Sequence, residues 1–304
     1  MSENTFQVIA TLPPYVEHRE EIIGSPLIQE LRFNTVMPLA ESKAKVLARL
    51  KRESRGKRLW LDLKTRQLRI TKFAYLPYAF VELSHAIKVD LPAVVYFKDA
   101  VARVVRIVDG NKLILAERPG RIVGAGEAIN ILDPSLKIQG FLTEKDRHFI
   151  VEANRLGLHD FMLSFAETAA DIEELLSIDP QANIVAKIES LRGLEFVRGD
   201  YTHYRGRVHL MAARDDLYIN MGKDKLAIFQ ALQDILAQDP DAYVASRLLT
   251  SLESSSTVSL GDLSDWTLME QLGFKHFMLS DGLCFHEESF MNALAVLRQL
   301  SRRK

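Results

Sequence analysis

The chain has 304 residues and a formal charge of −1, with 39 Lys and Arg set against 40 Asp and Glu. That length can bury a large core, as one barrel or as two domains, and so even a balance gives no global basic surface for nucleic acid. A single cysteine, Cys284, excludes an internal disulfide and fits a reducing compartment. The opening Met-Ser-Glu-Asn-Thr-Phe-Gln lacks a cationic segment leading into an apolar one, and no apolar run nears the roughly 18 residues of a membrane helix. A soluble, cytoplasmic protein is expected, with neither a nucleic-acid nor a membrane partner. In chain order, the apolar runs 6–12, 31–36 and 58–63 read as buried strands, with an amphipathic helix over 42–55. From about 71 to 138 the rhythm breaks into strand-like runs at 93–97, 102–108, 112–116 and 128–132. Turn signals at Asp109-Gly110-Asn111, Pro119-Gly120 and Gly124-Ala125-Gly126 punctuate them.

The alternation resumes with a helix over 144–156, opened by Thr143-Glu144 and closed by Gly157. Strands follow at 160–164, 183–187, 209–213, 242–246 and 276–280, separated by helices over 169–177, 223–238 and 264–272. Eight strand–helix units of about 25–30 residues predict an α/β fold, the (β/α)₈ TIM barrel, built from 1–70 and 139–304. A small β-rich domain, 71–138, is inserted after the third strand. An insertion there emerges on the carboxyl face of a barrel, the position of a lid; the alternative is a stabilising surface decoration.

Lys187 and Glu189 stand two apart in Ile-Val-Ala-Lys-Ile-Glu-Ser (184–190), so strand alternation sends both to one side. Asp216 follows just past another apolar run, in Met-Ala-Ala-Arg-Asp-Asp-Leu (211–217). One cation and two carboxylates at neighbouring strand ends can hold a divalent metal and balance an oxygen-rich anion. The competing reading is a structural ion-pair network. His209 and His276 open apolar strands as packed or rim histidines, and no histidines show metal-ligand spacing. Cys284 has no activating partner and reads as a buried thiol. The Gly120, Gly124, Gly126 series lies between strands and lacks the Gly-Lys-Ser/Thr ending of a phosphate loop. Trp60 and Trp266 read as core.

A series of short motifs follows the same elements: Leu31-Arg32-Phe33-Asn34, Leu61-Asp62-Leu63-Lys64 with Arg69 beyond it, Leu142-Thr143-Glu144-Lys145-Asp146, and Ser164-Phe165. Lys187-Ile188-Glu189, Ala213-Arg214-Asp215-Asp216-Leu217, Ala245-Ser246-Arg247-Leu248-Leu249 and Met278-Leu279-Ser280 continue it. With the barrel and its insertion, this order resembles the pyruvate kinase family over about residues 6–300. The resemblance implies Mg²⁺ or Mn²⁺ on Glu189 and Asp216, and Lys187 as the catalytic lysine beside the transferring phosphoryl group and the enolate. It implies Arg32 as the phosphate grip, suited by its planar fork, and the Ser246 hydroxyl in a proton relay where the family has threonine. Arg69, Asn34, Asp62, Ala213 and Asp215 would border the substrate, which is phosphoenolpyruvate, pyruvate or a related 2-oxo acid.

The departures are as specific. Asn34-Thr35-Val36-Met37-Pro38 stands for Asn-Phe-Ser-His-Gly, removing a potassium-holding serine and the histidine near the nucleotide. Leu63 replaces a threonine, so Asn34 and Asp62 alone remain of the K⁺ site, and the nucleotide side is depleted. Asp215 replaces a glycine beside the substrate carboxylate; it must pair, with Arg214, or turn away. Ala166-Glu167 replaces a hydrophobic–Arg pair, and no lysine stands near 124–128. The chain ends after the eighth helix without a counterpart of the family's C-terminal domain. The family is commonly tetrameric partly through that region, so a homo-oligomer is left open. The first rival is a metal-dependent C–C lyase or aldolase of the citrate-lyase and malyl-CoA barrel type. The second is a catalytically degenerate metabolite-binding protein.

Overall fold

The computed structural model describes residues 6–74, 79–97 and 100–302. Its first strands are β1 (Gln7–Thr11), β2 (Glu30–Asn34) and β3 (Arg58–Leu63). Then come β4 (Ile70–Ala74), β5 (Phe80–Leu83), β6 (Ile87–Lys88), β7 (Ala93–Phe97), β8 (Ala100–Val108), β9 (Lys112–Leu115), β10 (Asn130–Ile131) and β11 (Lys137–Ile138). The last five are β12 (Asp160–Leu163), β13 (Asn183–Ile188), β14 (Val208–Ala213), β15 (Tyr243–Ala245) and β16 (His276–Met278). Two compact units result: one takes the chain up to Leu63 and from Asp146 onward, the other Lys64–Lys145. The second therefore contains the segment 71–138 together with 64–70 and 139–145.

In the first unit eight parallel strands close a ring in the order β1-β16-β15-β14-β13-β12-β3-β2, as the alternation of runs and helices predicts. Strands buried on both faces must be near-continuously apolar, which is why these runs stood out. Ile9, Trp60, Met162, Val185, Met211, Tyr243, Ala245 and Met278 fill the inside of the barrel. All eight are buried, so the interior is a core and not a pore.

The helices are α1 (Arg19–Gly24), α2 (Lys43–Glu53), α3 (Glu144–Arg155), α4 (Ala169–Ile178), α5 (Leu191–Arg198), α6 (Arg214–Asn220), α7 (Ile228–Gln238), α8 (Leu260–Leu272), α9 (Asp281–Phe285) and α10 (Glu287–Leu300). Two predicted starts are corrected. The helix expected from 223 begins at Ile228, after a 3₁₀ turn over Lys225–Ala227. The cause is Lys225, whose ammonium reaches back to the carbonyls of Tyr218 (2.5 Å) and Ile219 (3.0 Å), closing α6. The helix expected from 264 begins at Leu260, because Ser259 caps it by accepting from the Asp262 amide at 3.0 Å. Among the described residues no helix is long and apolar enough to cross a membrane.

The second unit holds a six-stranded antiparallel sheet, β10-β7-β8-β9-β5-β4, and a two-stranded ladder of β11 and β6. Ala93, Val95 and Phe97 of β7 face one side with Ala102 and Val104 of β8 and Leu113 and Leu115 of β9, and these form its own core. Asp109 and Gly110 take φ of +54° and +77° and turn β8 into β9, as the Asp-Gly signal predicts. Of the strand expected over 128–132, only β10 forms.

At the amino ends of the barrel strands the buried Glu30 carboxylate accepts from the Trp60 indole at 2.7 Å and the Tyr243 hydroxyl at 3.4 Å, with Arg58 at 3.8 Å. His209 lies 3.3 Å from Asp239, and His276 packs on Tyr243 with ring centroids 4.6 Å apart. Both histidines are thus packed near the starts of their strands, His276 opening β16 and His209 second in β14. The hydrogen bond to Asp239 holds the His209 imidazolium above its usual range, outweighing burial, which acts the other way. A raised histidine contributes stability that is complete below the unfolded value and fades as pH climbs through the folded one. His209→Gln should therefore flatten the loss of stability over roughly the two pH units above the free-imidazole value near 6.5. Urea denaturation at a series of pH values checks this; parallel curves for the two proteins would refute it.

Candidate active site at the carboxyl ends of the barrel strands

Side chains alternate along a strand, so the residue two beyond each core member faces the barrel interior again. Thr11 follows Ile9 in this way, Asp62 follows Trp60, Ser164 follows Met162, Lys187 follows Val185 and Ala213 follows Met211. At all of these but Ala213 the sequence changes from apolar to polar, and those polar groups gather at one end. Register completes the placement: Thr11 lies opposite Arg32 on β2, and Asn34 opposite Asp62 on β3.

Lys187 is 6 % exposed. Its ammonium donates to Ser164 Oγ at 3.0 Å and pairs with Glu189 Oε1 at 3.0 Å and Asp62 Oδ1 at 3.8 Å. Burial pushes its pKa down, but the Asp62 and Glu189 carboxylates prevail and leave it raised, so the group is held charged. Glu189, 1 % exposed, accepts from the Phe165 amide at 2.6 Å through its other oxygen. Burial raises its pKa, with the nearby Asp216 charge adding to it, against the pull of Lys187. The Asn220 amide ties α6 to the end of β13, donating to the Glu189 carbonyl at 3.0 Å and the Asp216 carbonyl at 2.9 Å.

The backbone is bent to make this corner. Phe165 has φ of +50°, a left-handed conformation unusual for a bulky residue. The packing allows no slack, since a Cβ on Gly193 of α5 would fall 3.0 Å from the Ala166 carbonyl oxygen. Ser246, Arg247 and Leu249, beyond β15, also carry positive φ, at +71°, +59° and +56°. Such strain persists only where the surrounding structure over-determines it.

Arg32, also buried, uses its guanidinium on the protein itself. Nε donates to Asp62 Oδ2 at 2.7 Å and a second Asp62 bond comes from Nη2. Nη1 donates to Thr11 Oγ1 at 2.9 Å and to Asp281. Burial works against the charge, yet Asp281 and Asp62 outweigh it and hold the pKa above the usual arginine value. Asp62 is among the residues expected from the sequence; Asp281 is not. It lies at the start of α9, 249 residues from Arg32, and no strand periodicity reaches it.

The remaining expected residues divide. Asn34 donates to Asp281 Oδ2 at 2.7 Å and belongs to the cluster. Ala213 ends β14 beside Ala245. Arg214 does not pair with Asp215: it forks onto Asp265 at 2.6 and 2.8 Å, while Asp215 pairs with Arg247 at the surface. Arg214 is buried and points under β15, where it also reaches the Ala245 and Ser246 carbonyls, which explains the exchange of partners. Ser246 is therefore held through its main chain. Arg69 belongs to the second unit, where it donates to the Gly126 carbonyl and to Gln67 Oε1.

Two cations, Arg32 and Lys187, thus stand among Asp62, Glu189 and Asp281, with Asp216 next to Glu189. Such a surplus of carboxylate suits a divalent cation. Among the described residues no group of three or more His, Cys, Asp or Glu could hold a metal ion. Two carboxylates completed by substrate oxygens and water are nonetheless the usual manner for Mg²⁺, so the donor set fits.

No protein-family model matches this chain, and no curated protein does. Solved structures do. Two pyruvate kinase structures from Cryptosporidium parvum superpose with TM-scores of 0.77 and 0.76 at 19 % identity, covering 99 % and 97 % of this chain and 70 % of each of theirs. Pyruvate kinase from Pyrobaculum aerophilum gives 0.76 at 17 % identity, covering 100 % of this chain and 74 % of that one. The fold is pyruvate-kinase-like: a closed eight-stranded parallel barrel with a separate antiparallel β domain.

Lys187→Met would leave Glu189 buried without its cation, at a cost of about 3–5 kcal/mol, while Asp62 keeps Arg32. Adding Glu189→Gln should restore part of it, giving an interaction of about 0.5–3 kcal/mol in a double-mutant cycle by urea denaturation; simple additivity would deny the pair. Cys284 of α9 is fully buried, and burial pushes its thiol up to about 12. A disulfide reagent at about pH 8 should leave it untouched until denaturant is added; rapid labelling of the native chain would contradict this.

Proposed function

We propose that this chain is a pyruvate-kinase-like, divalent-metal-dependent enzyme acting on pyruvate, phosphoenolpyruvate or a related 2-oxo acid. The observation that carries the reading is the Lys187 ammonium held 3.0 Å from Glu189 inside the strand ends, with the Asp216 charge beside it. A core has no use for such a group, since apolar replacements of buried ion pairs are often neutral or stabilising.

In this reading Glu189 and Asp216 hold Mg²⁺ or Mn²⁺, which supplies charge neutralisation for the substrate's carboxylate and 2-oxo oxygens. Lys187 turns its remaining donor capacity to the oxygen on which charge grows as the 2-oxo acid passes to its enolate. Ser164 and Asp62 fix the direction of that ammonium. Ala213 and the helix start behind it border the substrate carboxylate, with Asp215 paired to Arg247. Ser246 supplies a hydroxyl for proton relay. Phosphoryl transfer from phosphoenolpyruvate would need the same elements, because it depends on positioning and charge neutralisation. Neither K⁺ nor a nucleotide is assigned.

Oxalate, a mimic of the pyruvate enolate, should stabilise the protein with Mn²⁺ by about 2–3 kcal/mol at a hundredfold excess over its Kd. Thermal unfolding reads the effect, and Glu189→Gln should abolish it. Stabilisation that is absent, or that survives the substitution, would overturn the reading.

A further inference from the structure

The Arg32 guanidinium has five N–H donors in a rigid fork, and the protein already makes four bonds to it through Asp62, Thr11 and Asp281. One donor cannot form the paired bonds by which arginine grips a phosphate. Asp281 is no casual partner. One of its oxygens accepts from Thr11 Oγ1 at 2.9 Å as well as from Arg32, and the other accepts from Asn34 at 2.7 Å. Its own position is fixed from behind. Ser280 caps α9 by accepting from the Leu283 amide at 3.3 Å and donates to Glu253 Oε1 at 2.5 Å. The main chain at Gly282 runs so close that a Cβ there would fall 2.5 Å from the Glu253 carboxyl carbon. The Asp281 side chain is nevertheless 30 % exposed, so it faces the space that a ligand would enter.

We propose that Asp281 is a specificity-determining residue. Its carboxylate holds the Arg32 corner closed to a phosphate group, so that the ligand of this site is an unphosphorylated 2-oxo acid or its enolate rather than a phosphate ester. A phosphate dianion approaching Arg32 would meet two carboxylates already bound there, with no donor pair to offset their repulsion. A 2-oxo acid needs the metal pair and Lys187 and asks nothing of Arg32. The inference rests on the reading of Lys187, Glu189 and Asp216 as the reacting centre, and it narrows that reading to enolate chemistry without phosphoryl transfer.

Inorganic phosphate, without metal, probes the Arg32 corner alone. Titration calorimetry should find Asp281→Ala binding phosphate at least about tenfold more tightly than wild type, the worth of one charge-assisted bond regained. The milder Asp281→Asn should shift the same way, and circular dichroism confirms that each variant is folded. Equal phosphate affinity in wild type and a folded variant would overturn the proposal. Should neither variant fold, wild type decides: with Mn²⁺, phosphoenolpyruvate should bind at least about tenfold more weakly than oxalate, and equal or tighter binding would overturn it. Loss of oxalate binding in both wild type and Glu189→Gln would instead defeat the metal reading, leaving the phosphate comparison to judge Asp281 separately.

Discussion

A buried ammonium organises the end of this barrel. Lys187 surrenders its hydration to sit among Ser164, Glu189 and Asp62, three oxygens from three different strand ends. Removing a charge from water costs several kcal/mol even after relaxation, and only close, well-aligned partners recover it. Those partners must then be delivered accurately, and the parallel registers of β3, β12 and β13 deliver them. The strained amide of Phe165 occupies the far side of Glu189, so neither oxygen of that carboxylate is left without a donor. The barrel's closure and the site's geometry are one constraint.

The two ends of the same strands have solved different problems. At the amino end, Glu30 is surrounded by Trp60, Tyr243 and Arg58, and Arg58 also reaches Asp160 at 3.5 Å. Indole, phenol and guanidinium close that layer with aromatic bulk, as suits an end that contributes stability. At the carboxyl end carboxylates outnumber cations, main-chain strain accumulates at Phe165, Ser246, Arg247 and Leu249, and partners are short polar chains. Strain of this kind costs of order 1–3 kcal/mol per residue. A sequence selected for packing alone would not have kept both the surplus charge and the strain on one side.

Much of this was legible in the sequence, and for a physical reason. Period-2 alternation is a local property, so Lys187 and Glu189 could be assigned to one face from their spacing, and the apolar runs marked all eight barrel strands. The partners across the barrel were not local. Asp281 meets Arg32 over 249 residues, and Arg214 meets Asp265 over 51, so no window in the chain connects them. Neighbour reasoning accordingly offered Asp215 the wrong arginine. It also extended one helix back to 223, where the Lys225 side chain had already been used to close α6. Periodicity finds the face; only the closed ring decides which charges meet across it.

The departures from the pyruvate kinase pattern can be weighed in the same terms. A carboxylate at position 215 would repel an anionic substrate if it stood alone, but Arg247 takes it up at the surface, while Asp265 satisfies the buried Arg214. That change is compensated where it occurs and leaves Lys187, Glu189 and Asp216 untouched. Asp281 is different, because its partner is Arg32, a member of the cluster itself. Bonds to Asn34 and Thr11 hold it there, so its charge acts on whatever enters beside the guanidinium. The scaffold absorbs the charge at position 215, whereas Asp281 is part of the buried cluster itself. Loss of a motif's letters therefore does not imply loss of the buried charge cluster, which Lys187, Glu189 and Asp62 still form.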